Sequence, residues 1–276
     1  MKTFALALGS GGARGLAHIA VIEALDDMGV KPTAIAGASV GALIGAAYAA
    51  GMSGKDIRHH VLAIAHNPRD TRRRLLAARA GKLSDLLSGA FSQATQMDAE
   101  KFCAQFLPEA LPAEFSALAI PLTVMATDLH RRQEAALSSG LLRAALAASI
   151  AFPGLFRPVS VDGRIMVDGG ATNPLPFDQL LGRADVVVAV DVFGAPAPER
   201  DDIPGAWGSV FTTINIMGST IVAAKHKHAA TDLVIRPNVA IFRTLDFYQA
   251  TAILRTADTV KAEVKEKLGK LLTAAP

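Results

Sequence analysis

The stretch IAGASVGALIGAAYAAG, residues 35–51, joins a short apolar run to an alanine-rich helical pattern that starts at once. Its one serine, Ser39, has Gly37 and Gly41 two residues away on either side. A Gly-x-Ser-x-Gly sequence between a strand and a helix is typical of a nucleophile elbow, a strained turn that exposes the serine hydroxyl. The alternative is a tightly packed corner of small residues, because this pattern also arises by chance in chains rich in Ala and Gly.

Strand and helix patterns alternate along the rest of the chain. Strands are predicted at Phe4–Leu8, Thr33–Ala36, Ile120–Ala126, Arg164–Val167 and, most strongly, Ala184–Val192. Helices are predicted at Leu16–Met28, Val40–Ala50, Leu141–Ile150 and Phe247–Leu272, and residues 55–115 are helical and polar without clear strands. This order predicts an α/β fold, a three-layer α/β/α sandwich with a mostly parallel central sheet.

The domain organisation is predicted to be simple. We find no internal repeat and no linker that divides the chain, so residues 1–276 are expected to form a single domain. The segment APAPERDDIPGAWG, residues 195–208, is predicted to be a loop and a mobile flap.

Composition indicates a well-packed protein and excludes several classes. Hydrophobic residues make up 51% of the chain and charged residues 19%, which rules out disorder of the whole chain. The single cysteine, Cys103, allows no intramolecular disulfide and favours a reducing cytoplasm. The apolar run Phe4–Leu8 is too short for a secretory signal, and every other run ends before the ~20 residues of a membrane span. We therefore expect a soluble, cytoplasmic protein.

A second glycine-rich loop, LGSGGARG at residues 8–15, also connects a predicted strand to a predicted helix. The dinucleotide pattern Gly-x-Gly-x-x-Gly fails, because counting from Gly9 the sixth position is Arg14. The phosphate-binding loop fails as well, because no Gly-Lys-Ser/Thr follows. The loop can still present backbone N–H groups at a helix N-terminus to a developing oxyanion. A plain tight turn is the alternative.

The third feature is VDGG, residues 167–170, which follows a predicted strand and is itself a common turn. A serine nucleophile needs a base, and an aspartate within hydrogen-bond reach can remove its proton directly. Asp168 is therefore the candidate base.

These three features together resemble the patatin-like phospholipase family. The segments AASIAFPGLFRPV, residues 147–159, and DGGATNPLP, residues 168–176, resemble those that lead to and contain the catalytic aspartate of that family. The resemblance implies a serine acyl hydrolase of lipid esters, of phospholipase A type, and we expect no cofactor. No metal is expected either, because the sequence has no His-Glu-x-x-His and only one cysteine. It further implies Ser39 as nucleophile, Asp168 as base, Gly11 and Gly12 as oxyanion-hole donors, and Arg14 as an organiser of the loop. Ser10 departs from the three consecutive glycines of plant patatins, although Gly11 and Gly12 are retained.

Two other functions remain open at this point. A Ser-His-Asp triad is formally available, because His226 and His228 lie downstream of both Ser39 and Asp168. The segment AAKHKHAA around them is nevertheless predicted to be a solvated helix turn, and His18 a hydrogen-bonded structural residue. A non-catalytic protein that binds an acyl ligand in the same cleft is the second alternative, which intact Ser39 and Asp168 disfavour.

A basic cluster follows the elbow helix. It comprises Arg69, Arg72, Arg73, Arg74, Arg79 and Lys82, opposed by Asp70 and later by Asp85. A solvated helix face is the simpler interpretation, and attraction to anionic lipid headgroups is the functional one. Nucleic acid is not an expected partner, because the segment has no aromatic stacking residues. We thus expect a lipid ester or phospholipid substrate, with peripheral contact at the inner membrane face as a hypothesis.

Overall fold

The computed structural model describes residues 1–79, 96–193, 203 and 205–274. The strands are β1 (Phe4–Leu8), β2 (Ile35–Ala38), β3 (Leu122–Asp128), β4 (Gln133–Leu137), β5 (Val159–Val161), β6 (Arg164–Asp168), β7 (Val186–Val190) and β8 (Leu233–Ile235). The helices are α1 (His18–Asp27), α2 (Val40–Ala49), α3 (Gly54–Ala65), α4 (Pro68–Ala77), α5 (Ala99–Phe106), α6 (Leu142–Ser149), α7 (Ala206–His228), α8 (Ala250–Ala257) and α9 (Val260–Thr273). Short 3-10 turns cover Gly12–Ala17, Phe115–Ala117, Gly169–Ala171, Phe177–Leu180 and Phe247–Gln249.

The strands form a central sheet in the order β5-β6-β3-β2-β1-β7-β8, with β4 also paired to β3. The strands β3, β2, β1, β7 and β8 run parallel to one another, whereas β4, β5 and β6 join through antiparallel pairs. The parallel strands therefore end at one edge of the sheet, where ligands of open α/β sheets usually bind.

Helices cover both faces of this sheet, and β1 is therefore buried along its whole length. Phe4, Leu6 and Leu8 pack into the larger core, which includes side chains of α1, α2, α6, α8 and α9. Ala5 and Ala7 face the smaller core, closed by the Phe177–Leu180 turn and by α7. The small alanines on this second face allow the covering elements to approach the sheet closely. The predicted α/β class with a mostly parallel sheet between helical layers is confirmed.

The sequence predictions held best for buried apolar runs. Phe4–Leu8 has the predicted bounds, and Thr33–Ala36 lies two residues early relative to β2. The strands β4, β5 and β8 were missed, because they are short and partly exposed. The predicted loop 195–208 falls mostly outside the described residues, and its last part was wrong because α7 begins at Ala206. In the described part of the chain, no helix is both long and apolar enough to cross a membrane.

Candidate active site

Ser39 occupies a strained turn between β2 and α2. Its backbone has φ 52° and ψ −126°, which a non-glycine residue adopts at a cost of about 1–3 kcal/mol. The turn is possible because its neighbours are small. A Cβ atom on Gly41 would collide with the carbonyl oxygens of Leu8 and Gly9, and one on Gly37 would collide with α2. The flanking glycines thus let the elbow pack directly against the glycine loop.

The hydroxyl of Ser39 points at a buried carboxylate. Ser39 Oγ donates a hydrogen bond of 2.7 Å to Asp168 Oδ2, and both residues are buried. The other carboxylate oxygen, Oδ1, accepts the N–H of Gly170 at 2.7 Å. The geometry therefore aligns a hydroxyl with a carboxylate that a second hydrogen bond orients.

The register of β3 explains how residues 129 positions apart meet. Ala38 at the end of β2 pairs with Met125, and Asp168 at the end of β6 pairs with the next residue, Ala126. Both strands lie on the same edge of β3, because β4 pairs along the other edge. The antiparallel entry of β6 places its last residue, Asp168, beside the carboxyl end of β2. Gly169 is required next, because a Cβ there would collide with the carbonyl of Met125.

The C-terminal end of α6 and the residues just after it hydrogen-bond to both Ser39 and Asp168. The hydroxyl of Ser149, which is fully buried, accepts the backbone N–H of Ser39 at 2.9 Å. Two residues later, the carbonyl of Ala151 accepts the N–H of Asp168 at 3.1 Å. Residues 147–159 were singled out in the sequence for their family resemblance, and no role was predicted for Ser149.

Burial also changes the acidity of the carboxyl group. Desolvation raises the pKa of Asp168 to about 6, although the hydrogen bonds from Ser39 and Gly170 act in the opposite direction. A carboxylate poised near neutral pH is a suitable general base, because it is ionised at pH 7 yet binds a proton readily.

The glycine loop places two N–H groups at the same edge of the sheet. The N–H groups of Gly9, Ser10 and Ala13 donate to the carbonyls of Val190, Pro174 and Thr244. In the described residues, no backbone carbonyl accepts the N–H groups of Gly11 and Gly12, which lie between these anchored positions. Gly12 has φ 57° and lies directly beneath Thr244. An anchored loop with two available donors is suited to hold an anionic oxygen.

Ser10, the departure from the glycine pattern, is buried in this arrangement. Its hydroxyl lies close to Gly170, where an added Cβ would meet it at 2.7 Å. Because its backbone also bonds to Pro174, Ser10 connects the glycine loop to the segment that follows Asp168.

Arg14 lies buried beneath the segment that follows β8. One guanidinium nitrogen donates to Thr244 Oγ1 at 3.4 Å, and the group lies 5.8 Å from the ring centre of Phe193. Burial lowers the pKa of Arg14, and the nearby charge of Asp191 opposes that shift. The side chain thus connects the glycine loop to two elements at the same edge of the sheet.

The histidines stand apart from the serine and aspartate. His18 Nε2 lies 2.7 Å from the carbonyl oxygen of Gly9, and burial lowers the pKa of His18 to about 4, so the prediction of a hydrogen-bonded structural residue is confirmed. His226 stacks on Phe177 at 4.3 Å. The hydrogen bonds of Ser39 and Asp168 in the described structure include no histidine.

The predicted solvated turn around His226 was partly wrong. Lys225, half-buried, forms ion pairs with Glu134 at 3.1 Å and Asp178 at 2.7 Å. Asn173 donates to the same two carboxylates at 2.9 Å each. This network joins α7 and β4 to the segment after Asp168. It could not be predicted from the sequence, because its members come from three separated segments.

The basic cluster lies mainly on α4. Arg73 and Arg74 both pair with Asp70, and Arg74 also donates to the carbonyl of Gln105. Arg69 and Arg72 are exposed to solvent. Lys82 and Asp85 lie outside the described residues. The part of the chain that the structure describes has no group of three or more His, Cys, Asp or Glu side chains placed to hold a metal ion.

Comparison with known proteins agrees with this arrangement of motifs. The model of the patatin-like phospholipase family matches residues 6–181, well over half of the chain. An uncharacterised NTE family protein of Mycobacterium tuberculosis strain H37Rv is 40% identical over 202 residues, 72% of this chain and 52% of the relative. Lysophospholipase NTE1 of Yarrowia lipolytica is 27% identical over 93% of this chain and 19% of the relative. The crystal structure of VipD from Legionella pneumophila aligns over 96% of this chain and 66% of that chain, with 15% identity and a TM-score of 0.49.

The fold is an α/β sandwich with a serine elbow facing a buried aspartate, the arrangement expected of a serine hydrolase. The chain belongs to the patatin-like phospholipase family. It spans about half the length of the mycobacterial relative and a smaller share of the yeast one.

Ser149→Ala should destabilise the elbow. The substitution leaves the buried N–H of Ser39 without an acceptor, which typically costs about 1–3 kcal/mol in the free energy of unfolding. Urea unfolding measures this loss, with Ser160→Ala on the exposed side of β5 as the matched control. A loss no larger than that of the control would contradict a locking role for Ser149.

Asp168→Asn should change how stability depends on pH. Because the pKa of Asp168 is raised to about 6 from an unfolded value of about 3.9, the folded state binds more protons between these two values. The stability of the wild type therefore falls as pH rises through this window, and the asparagine variant lacks that fall. We expect the variant to gain stability relative to the wild type between pH 4 and pH 7, measured by urea unfolding at each pH. Asp162→Asn, at an exposed position, controls for the loss of a charge. If the difference in stability between Asp168→Asn and the wild type did not change with pH, the raised pKa of Asp168 would be refuted.

Proposed function

We propose that this chain is a serine acyl hydrolase that cleaves carboxylic esters of lipids, of phospholipase A type, with Ser39 as nucleophile and Asp168 as base. The observation that supports it best is the 2.7 Å hydrogen bond from the strained Ser39 to the buried Asp168. Membership in the patatin-like phospholipase family supports a lipid hydrolase in general, and the dyad makes the proposal specific.

The first half-reaction forms an acyl-enzyme. Ser39 Oγ attacks the carbonyl carbon of the ester while its proton passes to Asp168 Oδ2. The carbonyl oxygen becomes an oxyanion, which accepts hydrogen bonds from the N–H groups of Gly11 and Gly12. The bond from carbon to the alcohol oxygen then breaks, and Asp168 returns the proton to the leaving alcohol or lysolipid. Losing one donor of this kind typically raises the barrier by ~2.7–4 kcal/mol.

The second half-reaction uses water in place of the serine. Asp168 accepts a proton from the water as its oxygen attacks the acyl carbon. The tetrahedral intermediate uses the same two donors. Collapse then breaks the bond to Ser39 Oγ, which recovers a proton from Asp168 and releases the fatty acid. Asp168 is therefore base and acid in turn, a role that a pKa near 6 suits.

Several finer assignments belong to the same proposal. Arg14 acts as an organiser of the glycine loop, through its contact with Thr244. Residues 1–276 act as one hydrolase domain in the cytoplasm. A relative is named a lysophospholipase, which favours a phospholipid or lysophospholipid substrate for this chain. Contact with a membrane surface follows from such a substrate.

Ser39→Ala and Asp168→Asn should each reduce hydrolysis of a short-chain p-nitrophenyl ester by about three orders of magnitude or more, because each removes a group that acts in the chemical step. The controls are His226→Ala and His228→Ala, which should retain near-normal kcat/KM. Strong loss in a histidine variant, with Asp168→Asn mildly affected, would favour a triad. A fluorophosphonate probe that fails to label the wild type at Ser39 would favour a non-catalytic protein that binds acyl ligands.

The rate should rise with pH through the titration of Asp168. The base is active only when ionised, so kcat/KM should increase up to about pH 6 and level off above it. A pH profile from 4.5 to 8 with a soluble ester measures this limb. A profile that is flat across pH 6, with the fold intact, would exclude Asp168 as the base.

A further inference from the structure

The turn that follows β8 exposes a group of large apolar side chains. Ile241, Leu245, Phe247 and Tyr248 are 52%, 44%, 45% and 81% exposed. We call residues 241–248, which present these four side chains, the apolar turn. The four side chains lie within eight residues of one another, a local density of exposed apolar surface that usually indicates an interaction site.

The apolar turn lies at the functional edge of the sheet. The strand β8 runs parallel to β7, so the residues after Ile235 emerge at the edge where the elbow and the glycine loop also lie. Thr244, inside the turn, accepts the N–H of Ala13 at 2.8 Å through its carbonyl. Its hydroxyl accepts from Arg14 and from Asn215 of α7. The turn is therefore in direct contact with the loop proposed to hold the oxyanion.

The turn is held in one conformation by its own polar groups. The buried carboxylate of Asp246 accepts the N–H of Arg243 at 2.8 Å and the side-chain amide of Gln249 at 3.0 Å. Phe242 and Ala250, at its two ends, pack into the main core. The exposed side chains are thus presented by an anchored scaffold, which lowers the entropy cost of docking.

Basic residues adjoin the apolar turn. Arg243 is exposed within it. Immediately after it, Thr251 in the first turn of α8 hydrogen-bonds to His66, at 3.0 Å. His66 precedes α4, on which Arg69 and Arg72 are exposed. Exposed Leu, Phe and Tyr next to arginine is the composition of surfaces that insert at the boundary between headgroups and acyl chains.

We propose that the apolar turn inserts into a phospholipid surface and places the glycine loop and Ser39 at that surface. The apolar side chains enter the interface, and the arginines add attraction to anionic headgroups. The inference rests on the proposed function, because a lipid ester substrate is what a bilayer would supply to this edge of the sheet.

The test compares a double variant of the apolar turn with a single variant at a leucine of similar exposure elsewhere. Leu245→Ser with Tyr248→Ser alters the apolar turn. Leu181→Ser alters a leucine that is 47% exposed near the start of β7, at the opposite edge of the sheet. All variants are made in the Ser39→Ala chain, so that the lipid stays intact, and binding to phosphatidylcholine vesicles is measured by sedimentation. We expect at least tenfold weaker binding for the turn variant and unchanged binding for Leu181→Ser. Equal binding by the two would overturn the proposal.

A second measurement reads insertion directly and does not depend on loss of binding. Cys103 is the only cysteine and is buried, so Tyr248→Cys and Leu181→Cys each introduce one accessible thiol for an environment-sensitive fluorophore. Vesicles should shift the emission to the blue at position 248 and leave it unchanged at 181. A shift at 248 that appears with protein concentration alone would identify a second copy of the chain as the occupant, and would also overturn the proposal.

A charge variant separates electrostatic attraction from apolar insertion. Arg69→Glu with Arg72→Glu should weaken binding to vesicles that contain phosphatidylglycerol and leave binding to phosphatidylcholine unchanged. The turn variant should weaken both. If the charge variant abolished binding to both kinds of vesicle, an apolar insertion would be wrong.

These results stand apart from the catalytic proposal. Vesicle binding is measured without turnover, so it tests the role of the apolar turn independently of the role of Ser39. Hydrolysis of a soluble ester by the wild type and by Ser39→Ala tests the nucleophile independently of the apolar turn. If the chain binds lipid and Ser39→Ala hydrolyses the ester as fast as the wild type, the proposed function is refuted and the membrane proposal is not.

Discussion

The site depends on one hydrogen bond, from the hydroxyl of Ser39 to the buried carboxylate of Asp168. Burying a carboxylate is costly unless its oxygens are satisfied, and here each oxygen accepts one hydrogen bond. The remaining cost appears as the raised pKa of Asp168. The fold therefore holds a carboxylate that is more basic than it would be in water, and this effect of desolvation suits the proton transfer proposed for Asp168.

Such a site needs a rigid surround, because both partners are in unfavourable states. Ser39 has strained backbone angles and Asp168 is desolvated. The C-terminal end of α6 supports both positions, through the hydroxyl of Ser149 and the carbonyl of Ala151 just after the helix. The glycine loop is similarly anchored at Gly9, Ser10 and Ala13, so that its two central N–H groups keep their direction. Hydrogen bonds from neighbouring segments thus offset the strain of Ser39 and the desolvation of Asp168.

The two proposals involve the same edge of the sheet. Elbow, glycine loop and the segment after β8 all follow parallel strands, whose carboxyl ends meet at one edge. Thr244 lies between the glycine loop and the apolar turn, bonded to one and part of the other. If both proposals hold, this arrangement brings Ser39 and the apolar turn to the same lipid surface.

Local sequence was sufficient to predict several strands and the two glycine-rich turns. The apolar run Phe4–Leu8 predicted its strand, and the glycines around Ser39 and in residues 8–15 predicted sharp turns before helices, because these features depend on neighbouring residues only. The pairing of Ser39 with Asp168 was inferred by resemblance, and the contact itself depends on the antiparallel entry of β6 beside β3, which no local pattern specified. Ser149, the network of Lys225 and Asn173, and the apolar turn were not found at all in sequence. Each depends on contacts between distant segments or on which apolar side chains remain exposed, and only packing in three dimensions decides those.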